Sequence, residues 1–287
     1  MDKLLKIGPV ILALRDFPLY NQYPFRDWKL DAFAVDAGQP DITVRYGGRP
    51  ILPFGEPLLQ ERSGFIDRQL FCLDDGTWLW QQTYHGVLQL QFTVSPHRKC
   101  VYVTADETNT FGMAVMESLT FLIFYLLLQK NVLSFHGVLL EEGGRGIILS
   151  APSGVGKSTQ ARLWRDHKNA LILNGDRSCC YLSEGQWRGF GTPWCGTSGE
   201  YINRQVPIRA LVVLEQGYVN QVTHLKGSQL LHRLMPNVLL PQFDADLTAM
   251  AADLLSRFVQ DFPVLLLSCT PDTRAVDVLY DYLENLK

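Results

Sequence analysis

The stretch RGIILSAPSGVGKST, residues 145–159, decides how this chain is read. Three apolar residues, Ile147, Ile148 and Leu149, run into a glycine-punctuated loop, and a helix-compatible segment near Ser158 to His167 follows. The loop fits the spacing GxxxxGK[ST] except that Ala151 stands at the first glycine position. Gly154 and Gly156 let successive backbone N–H groups turn inward, and the helix behind them adds the positive end of its dipole. An anion site follows from main-chain geometry alone. On this reading Ser153, Gly154, Val155, Gly156, Lys157, Ser158 and Thr159 cradle a polyphosphate. Lys157 reaches its β- and γ-phosphates, and the Ser158 hydroxyl ligates the Mg²⁺ that bridges them.

A triphosphate site also needs an acid for the metal. The next predicted strand, Ala170 to Leu173, runs straight into Asn174-Gly175-Asp176. A right-handed strand-helix-strand crossover makes that strand parallel to the one before the loop, so both carboxyl ends reach the same edge and Asp176 arrives beside the phosphates. The same tripeptide is also compatible with a plain turn. His136, set in Phe135-His136-Gly137-Val138, reads by its apolar neighbours as a core histidine.

Outward from the loop, the chain falls into two regions. Up to about Asn109 it consists of short β-favouring runs, among them ITVRYGG, GTWLWQQTYHG, VLQLQFTVS and KCVYVTA, broken by turn residues. The alternation from Val87 to Phe92 and the Trp78/Trp80 pair predict antiparallel strands with one wetted face. Trp78, Trp80 and Tyr84 read as sheet core. A single first strand is expected over Ile7 to Leu14. A helix from about Gly112 to Lys130, apolar on nearly every side, marks the change of period, which places the domain boundary near Asn109: residues 1–109, then 110–287. Beyond it come a strand, a turn, the loop strand, a helix and a strand, then the hairpin SCCYLSEGQWRGFG. After the hairpin the strand IRALVVLEQG, a short strand at QVTHLK, two helices, the strand PVLLLSC and a last helix from Pro271 are expected.

Composition limits the function. Of 287 residues 47% are hydrophobic and 19% charged, which excludes disorder as the main state. Lys and Arg total 26 against 29 Asp and Glu, so no basic field favours nucleic acid. The most apolar run, Ser118 to Leu128, is shorter than the ~20 residues that cross a bilayer. The six cysteines form no CxxC pair and read as free thiols of a reducing cytoplasm. Cys195 reads as a structural thiol, and Cys179 and Cys180 fall on opposite faces of one strand.

From His136 to about Gly217 the chain resembles the HPr kinase family, whose catalytic domain shares its P-loop fold with phosphoenolpyruvate carboxykinase. The resemblance rests on HGVLLEEGGRGIILSAPSGVGKST, Asp176-Arg177, RGFG at 188–191 and LVVLE at 211–215, in order and spacing. More narrowly, NGDR followed by GTPWCGTSGEY is similar to a branch found beside peptide-modification genes, some of whose relatives phosphorylate a serine hydroxyl. The resemblance implies an α/β (α+β) protein, with a mixed-sheet P-loop catalytic domain behind a β-rich N-terminal domain. It implies an ATP- and Mg²⁺-dependent transfer of the γ-phosphoryl group to a hydroxyl of a peptide, protein or small molecule, and a homo-oligomer as one assembly. It also moves His136 into the active site, alongside Lys157 and Asp176, with Ser158 and Asp176 on the metal. Two departures stand out: Gly175 replaces the first of the family's paired acids, and Gln186-Trp187 precedes Arg188 where the family carries an acid. Glu200 is a candidate for the missing carboxylate, with an exposed turn residue as the other reading, and Arg204 or Arg209 is a candidate to meet an anion. A nucleotide-binding regulatory or scaffolding protein of a biosynthetic operon is the alternative that Gly175 keeps open.

Overall fold

Two mixed sheets and five α-helices make up the computed structural model, which describes residues 2–17, 28–105 and 112–286. By contact the chain divides into two units, residues 1–126 with 242–244 and residues 127–241 with 245–287. The expected boundary at Asn109 lies outside the described residues.

The first unit is built on β1 (Lys3–Ile7), β2 (Val10–Arg15), β3 (Ala34–Val35), β4 (Ile42–Tyr46), β5 (Leu59–Ser63), β6 (Ile66–Cys72), β7 (Trp78–Tyr84), β8 (Val87–Val94) and β9 (Cys100–Ala105), followed by α1 (Gly112–Leu127). The strands form one sheet in the order β3-β1-β2-β4-β9-β8-β7-β6-β5. Where one first strand was expected there are two. Gly8, at φ 58°, turns the chain between β1 and β2. The sheet is not wholly antiparallel either, because β4 runs parallel to both β2 and β9.

Nor is one face of β7 and β8 wet. Trp78, Trp80 and Phe92 are buried as core, but so are Gln81, Gln82, Gln89 and Gln91, while Tyr84 is exposed. The glutamines are buried without charge and with partners. Gln91 donates to Ile51 O at 2.7 Å and accepts from Ile51 N at 2.8 Å, and Gln81 donates to Gln69 Oε1 at 2.9 Å. A neutral amide can be covered where its hydrogen bonds are replaced, so alternation of polar with apolar residues here reports two buried faces.

The second unit contains β10 (Val132–Glu142), β11 (Arg145–Ser150), α2 (Lys157–Lys168), β12 (Leu171–Asn174), β13 (Arg177–Ser183), β14 (Gln186–Phe190), β15 (Gln205–Gln216), β16 (Gln221–His224), α3 (Gly227–Leu234), α4 (Ala245–Asp261), β17 (Val264–Cys269) and α5 (Thr273–Glu284). Two long strands organise it. β11 pairs antiparallel with the second half of β10 and parallel with β15, while the hairpin β13–β14 links the first half of β10 to the start of β15. The strands β11, β10, β13, β14 and β15 therefore close a ring. Ile147, Leu149, Val212, Leu214, Leu265 and Leu267 join Ala161 and Trp164 of α2 and Val276 and Leu279 of α5 in one buried cluster. Apolar burial of this kind stabilises by roughly 1.5–3 kcal/mol per large side chain and fixes α2 against the strand that feeds it.

β12 and β13 lie end to end along β10. Glu141 to Leu139 pair with β12, and His136 to Val132 with β13. Residues 175–176 are the break between them, held by a bond from Gly137 N to Asp176 O of 2.9 Å. β11 and β12 are thus parallel to one another with β10 between them, and their carboxyl ends face the same stretch of β10.

Candidate functional site

The loop after β11 has the backbone that its glycines predict. Gly154 (φ 81°) and Gly156 (φ 123°) both occupy the region that side chains rarely adopt. Gly156 is also the N-cap of α2, and no side chain caps that helix. The first-turn amides of a helix have no partner within the helix, an arrangement that an external anion can use. Lys157 is buried along its stem and donates from Nζ to the carbonyls of Ala151 (2.6 Å) and Pro152 (3.3 Å), which folds its charge into the loop. Burial pulls its pKa below the usual lysine value, and the nearby Asp176 charge opposes that. Ser153, Gly154 and Ser158 are exposed along the rim.

Asp176 is aimed by the break between β12 and β13, the kind of irregularity that re-directs a side chain next to a site. Its carboxylate lies between an imidazole and a guanidinium: His136 Nε2 is 3.4 Å from Oδ1, and Arg177 Nε is 3.3 Å from Oδ2. The His136 hydrogen bond is the main cause that holds its pKa below the ordinary aspartate value, against burial, with help from Arg177 and Lys157. His136 is half-exposed rather than a core residue. It shares the alternation of Val138 and Leu140, which face α2, so its ring projects on the same side of the strand. His136, Lys157 and Asp176, far apart in sequence, are thus brought to one place.

Asn174, which the sequence marks only as part of a turn, holds the break. It is fully buried. Its Nδ2 donates to Thr192 O, Thr192 Oγ1 and Trp194 O at 2.9–3.1 Å, and its Oδ1 accepts from the backbone N–H of Asp176 (2.9 Å) and Arg177 (2.6 Å). An Asn side chain that bonds the backbone two residues on is an Asx turn, and Asn-Gly-Asp carries that signal.

The segment 194–200 lies directly on the break. A Cβ at Gly196 would stand 2.8 Å from Asp176 Cβ and Cγ, and one at Gly175 would stand 1.9 Å from Ser198 Oγ. Ser198 Oγ is itself held by Cys195 O at 2.7 Å. The place of a side chain at 175 is therefore occupied, and a second acid there would have to displace Ser198. Glu200 does not supply one, since Arg165 Nη1 of α2 holds its carboxylate at 2.7 Å. Arg204 pairs with the buried Glu141 at 2.8 Å, and Arg209 with Glu284 at 2.8 Å, so neither is aimed at an incoming anion. Cys179, Cys180 and Cys195 are buried, and burial pushes the Cys179 thiol up to about 12, where it is inert.

The donor set suits Mg²⁺. That ion takes one or two carboxylates and completes its shell with water and phosphate oxygens, and an aspartate whose pKa is held low near Lys157, the residue before the Ser158 hydroxyl, can supply the carboxylate. Among the described residues no cluster of three His, Cys, Asp or Glu makes a metal cage, and no helix is long and apolar enough to cross a membrane.

No family model matches the sequence, and no curated protein matches it. Among solved structures, the Hpr(Ser) kinase/phosphatase from Coxiella burnetii is similar with a TM-score of 0.31 and 10% identity, over 52% of this chain and 95% of that one. A likeness at that level does not place function.

Proposed function

We propose that this protein is an ATP- and Mg²⁺-dependent kinase that transfers the γ-phosphoryl group to a hydroxyl, most readily a serine, of a peptide, protein or small molecule. One observation carries the reading: an uncapped helix start behind two positive-φ glycines, with Asp176 delivered beside it by a parallel strand. Backbone amides of 154–159 bind the phosphates, and Lys157 neutralises charge on the transferring oxygens. Ser158 and Asp176 would hold Mg²⁺, which would screen the phosphate charge when bound. The acceptor oxygen attacks the γ-phosphorus, the bond to the β–γ bridging oxygen breaks, and ADP leaves. The acceptor proton passes to the Asp176–His136 pair, which with one acid both orients and deprotonates the hydroxyl. Lys157→Ala tests the reading. Phosphorylated product, followed by mass spectrometry, should fall by roughly 10²–10³-fold in a folded protein, and near-wild-type turnover refutes the assignment.

The single acid favours a second reading, a nucleotide-binding regulator without transfer. The closed space at Gly175 is its support. Mg-ATP with peptide and small-molecule hydroxyl acceptors separates the two: product supports the kinase, and binding without product supports the regulator.

A further inference from the structure

The connection between β15 and β16 ends in an aromatic side chain with nothing against it. Tyr218 is 101% exposed, in contrast to the chain around it, which is fixed. Gln216 Nε2 donates to Val155 O of the phosphate loop at 3.3 Å, and Gly217 N to Cys269 O at 3.1 Å. A Cβ at Gly217 would stand 2.0 Å from Ser268 Oγ, so the connection crosses β17 in close contact. Asn220 closes it, donating to Thr270 Oγ1 at 3.0 Å and accepting from Thr270 N at 2.8 Å. An exposed ring on a tethered support loses little entropy when a ligand covers it.

Position says which ligand. β11, and so the phosphate loop, lies between β10 and β15. His136 and Asp176 stand on the β10 side, and Gln216 and Tyr218 on the β15 side. If the γ-phosphate is presented to Asp176, as the proposed function requires, the nucleoside leaves the loop towards β15. The polar groups there are engaged with one another: the Asn220 amide with Thr270, and Asp272 with Thr270 Oγ1 and Arg274. What remains on offer is a π face, which every base can use.

Resting on that reading, we infer that Tyr218 is the stacking platform for the nucleobase, and that the site takes nucleoside triphosphates with little discrimination among bases. The test is calorimetry with Mg²⁺ on the full chain, using ATP, GTP and inorganic tripolyphosphate as probes. Tyr218→Ala should weaken ATP and GTP alike, by about 5- to 150-fold, the range of base–aromatic stacking, and leave tripolyphosphate within about two-fold. Tyr218→Phe should bind ATP as wild type does. In Tyr218→Trp the indole emission should be quenched by ATP and unmoved by tripolyphosphate. Undiminished ATP binding by Tyr218→Ala, or an equal loss for tripolyphosphate, overturns the stacking role while the phosphate site stands. If the wild type binds none of the three probes, the phosphate-loop reading fails and this inference with it.

Discussion

Asn174–Asp176 and Gln216–Asn220 both leave a strand beside the phosphate loop, and they are built in opposite ways. The first is closed: a buried amide holds five hydrogen bonds, a neighbouring loop fills the space at Gly175, and the carboxylate is held between His136 and Arg177. The second is pinned only at its base and ends in a bare ring. On the proposed function, transfer of a phosphoryl group needs charge held in place to a fraction of an ångström, so rigidity belongs where Asp176 is. Contact with a flat base tolerates rotation and slip, and a single exposed aromatic is enough.

The contrast breaks first at the carboxylate. Asp176→Asn should lower kcat by roughly 10²–10³-fold, whereas Tyr218→Ala should raise KM for ATP and leave kcat within a few-fold; steady-state kinetics on both variants shows whether the two effects part in this way. Next in size is the occupied space. Gly175→Asp, which restores the acid that the resemblance expects, should lower stability by about 1–3 kcal/mol through overpacking against Ser198. A second change, Ser198→Gly, should recover much of the urea midpoint, and a Gly175→Asp protein as stable as wild type would show that the break is looser than drawn. Asn220→Ala should cost about 1 kcal/mol through its lost bonds to Thr270. It should weaken ATP less than Tyr218→Ala does, because the ring survives on a less constrained support.

The smallest effect lies at the start of α5, next to that support. Asp272 caps the helix through Arg274 N and is bonded by the Arg274 side chain, which holds its pKa at about 2. A carboxylate depressed in the folded state stabilises it above the ordinary carboxylate range, and that contribution is lost as pH falls through the folded value. Asp272→Asn keeps the capping oxygen and removes the charge. Melting midpoints of the two proteins should therefore differ modestly at neutral pH and converge as pH approaches about 2; a difference that persists there would trace the effect to the cap instead.

What the sequence disclosed follows from how local each feature is. The strand, glycine turn and helix around residues 145–168 are legible because glycine spacing, the apolar run before it and the helix-compatible segment after it are all contained there. The parallel placement of β12 followed from chain handedness, although the intervening β10 did not. Ser198 against Gly175, Glu200 on Arg165 and Arg204 on Glu141 join positions whose proximity no periodicity reports. The glutamines of β7 and β8 misled because residue type records polarity, while burial depends on partners as remote as Ile51. Tyr218 left no trace in the pattern because an exposed ring in a turn is ordinary until its neighbours are known.

Because β10 and β15 are each one unbroken strand that takes part at both ends of the ring, the end that carries the glycine loop and the hairpin end share covalent backbone. Local opening at either end must then draw on the same cooperative unit. The amides of Leu133 and Leu140, one in each half of β10, should exchange with solvent deuterium in a single event, so that an agent which tightens the loop also slows exchange in the distant half.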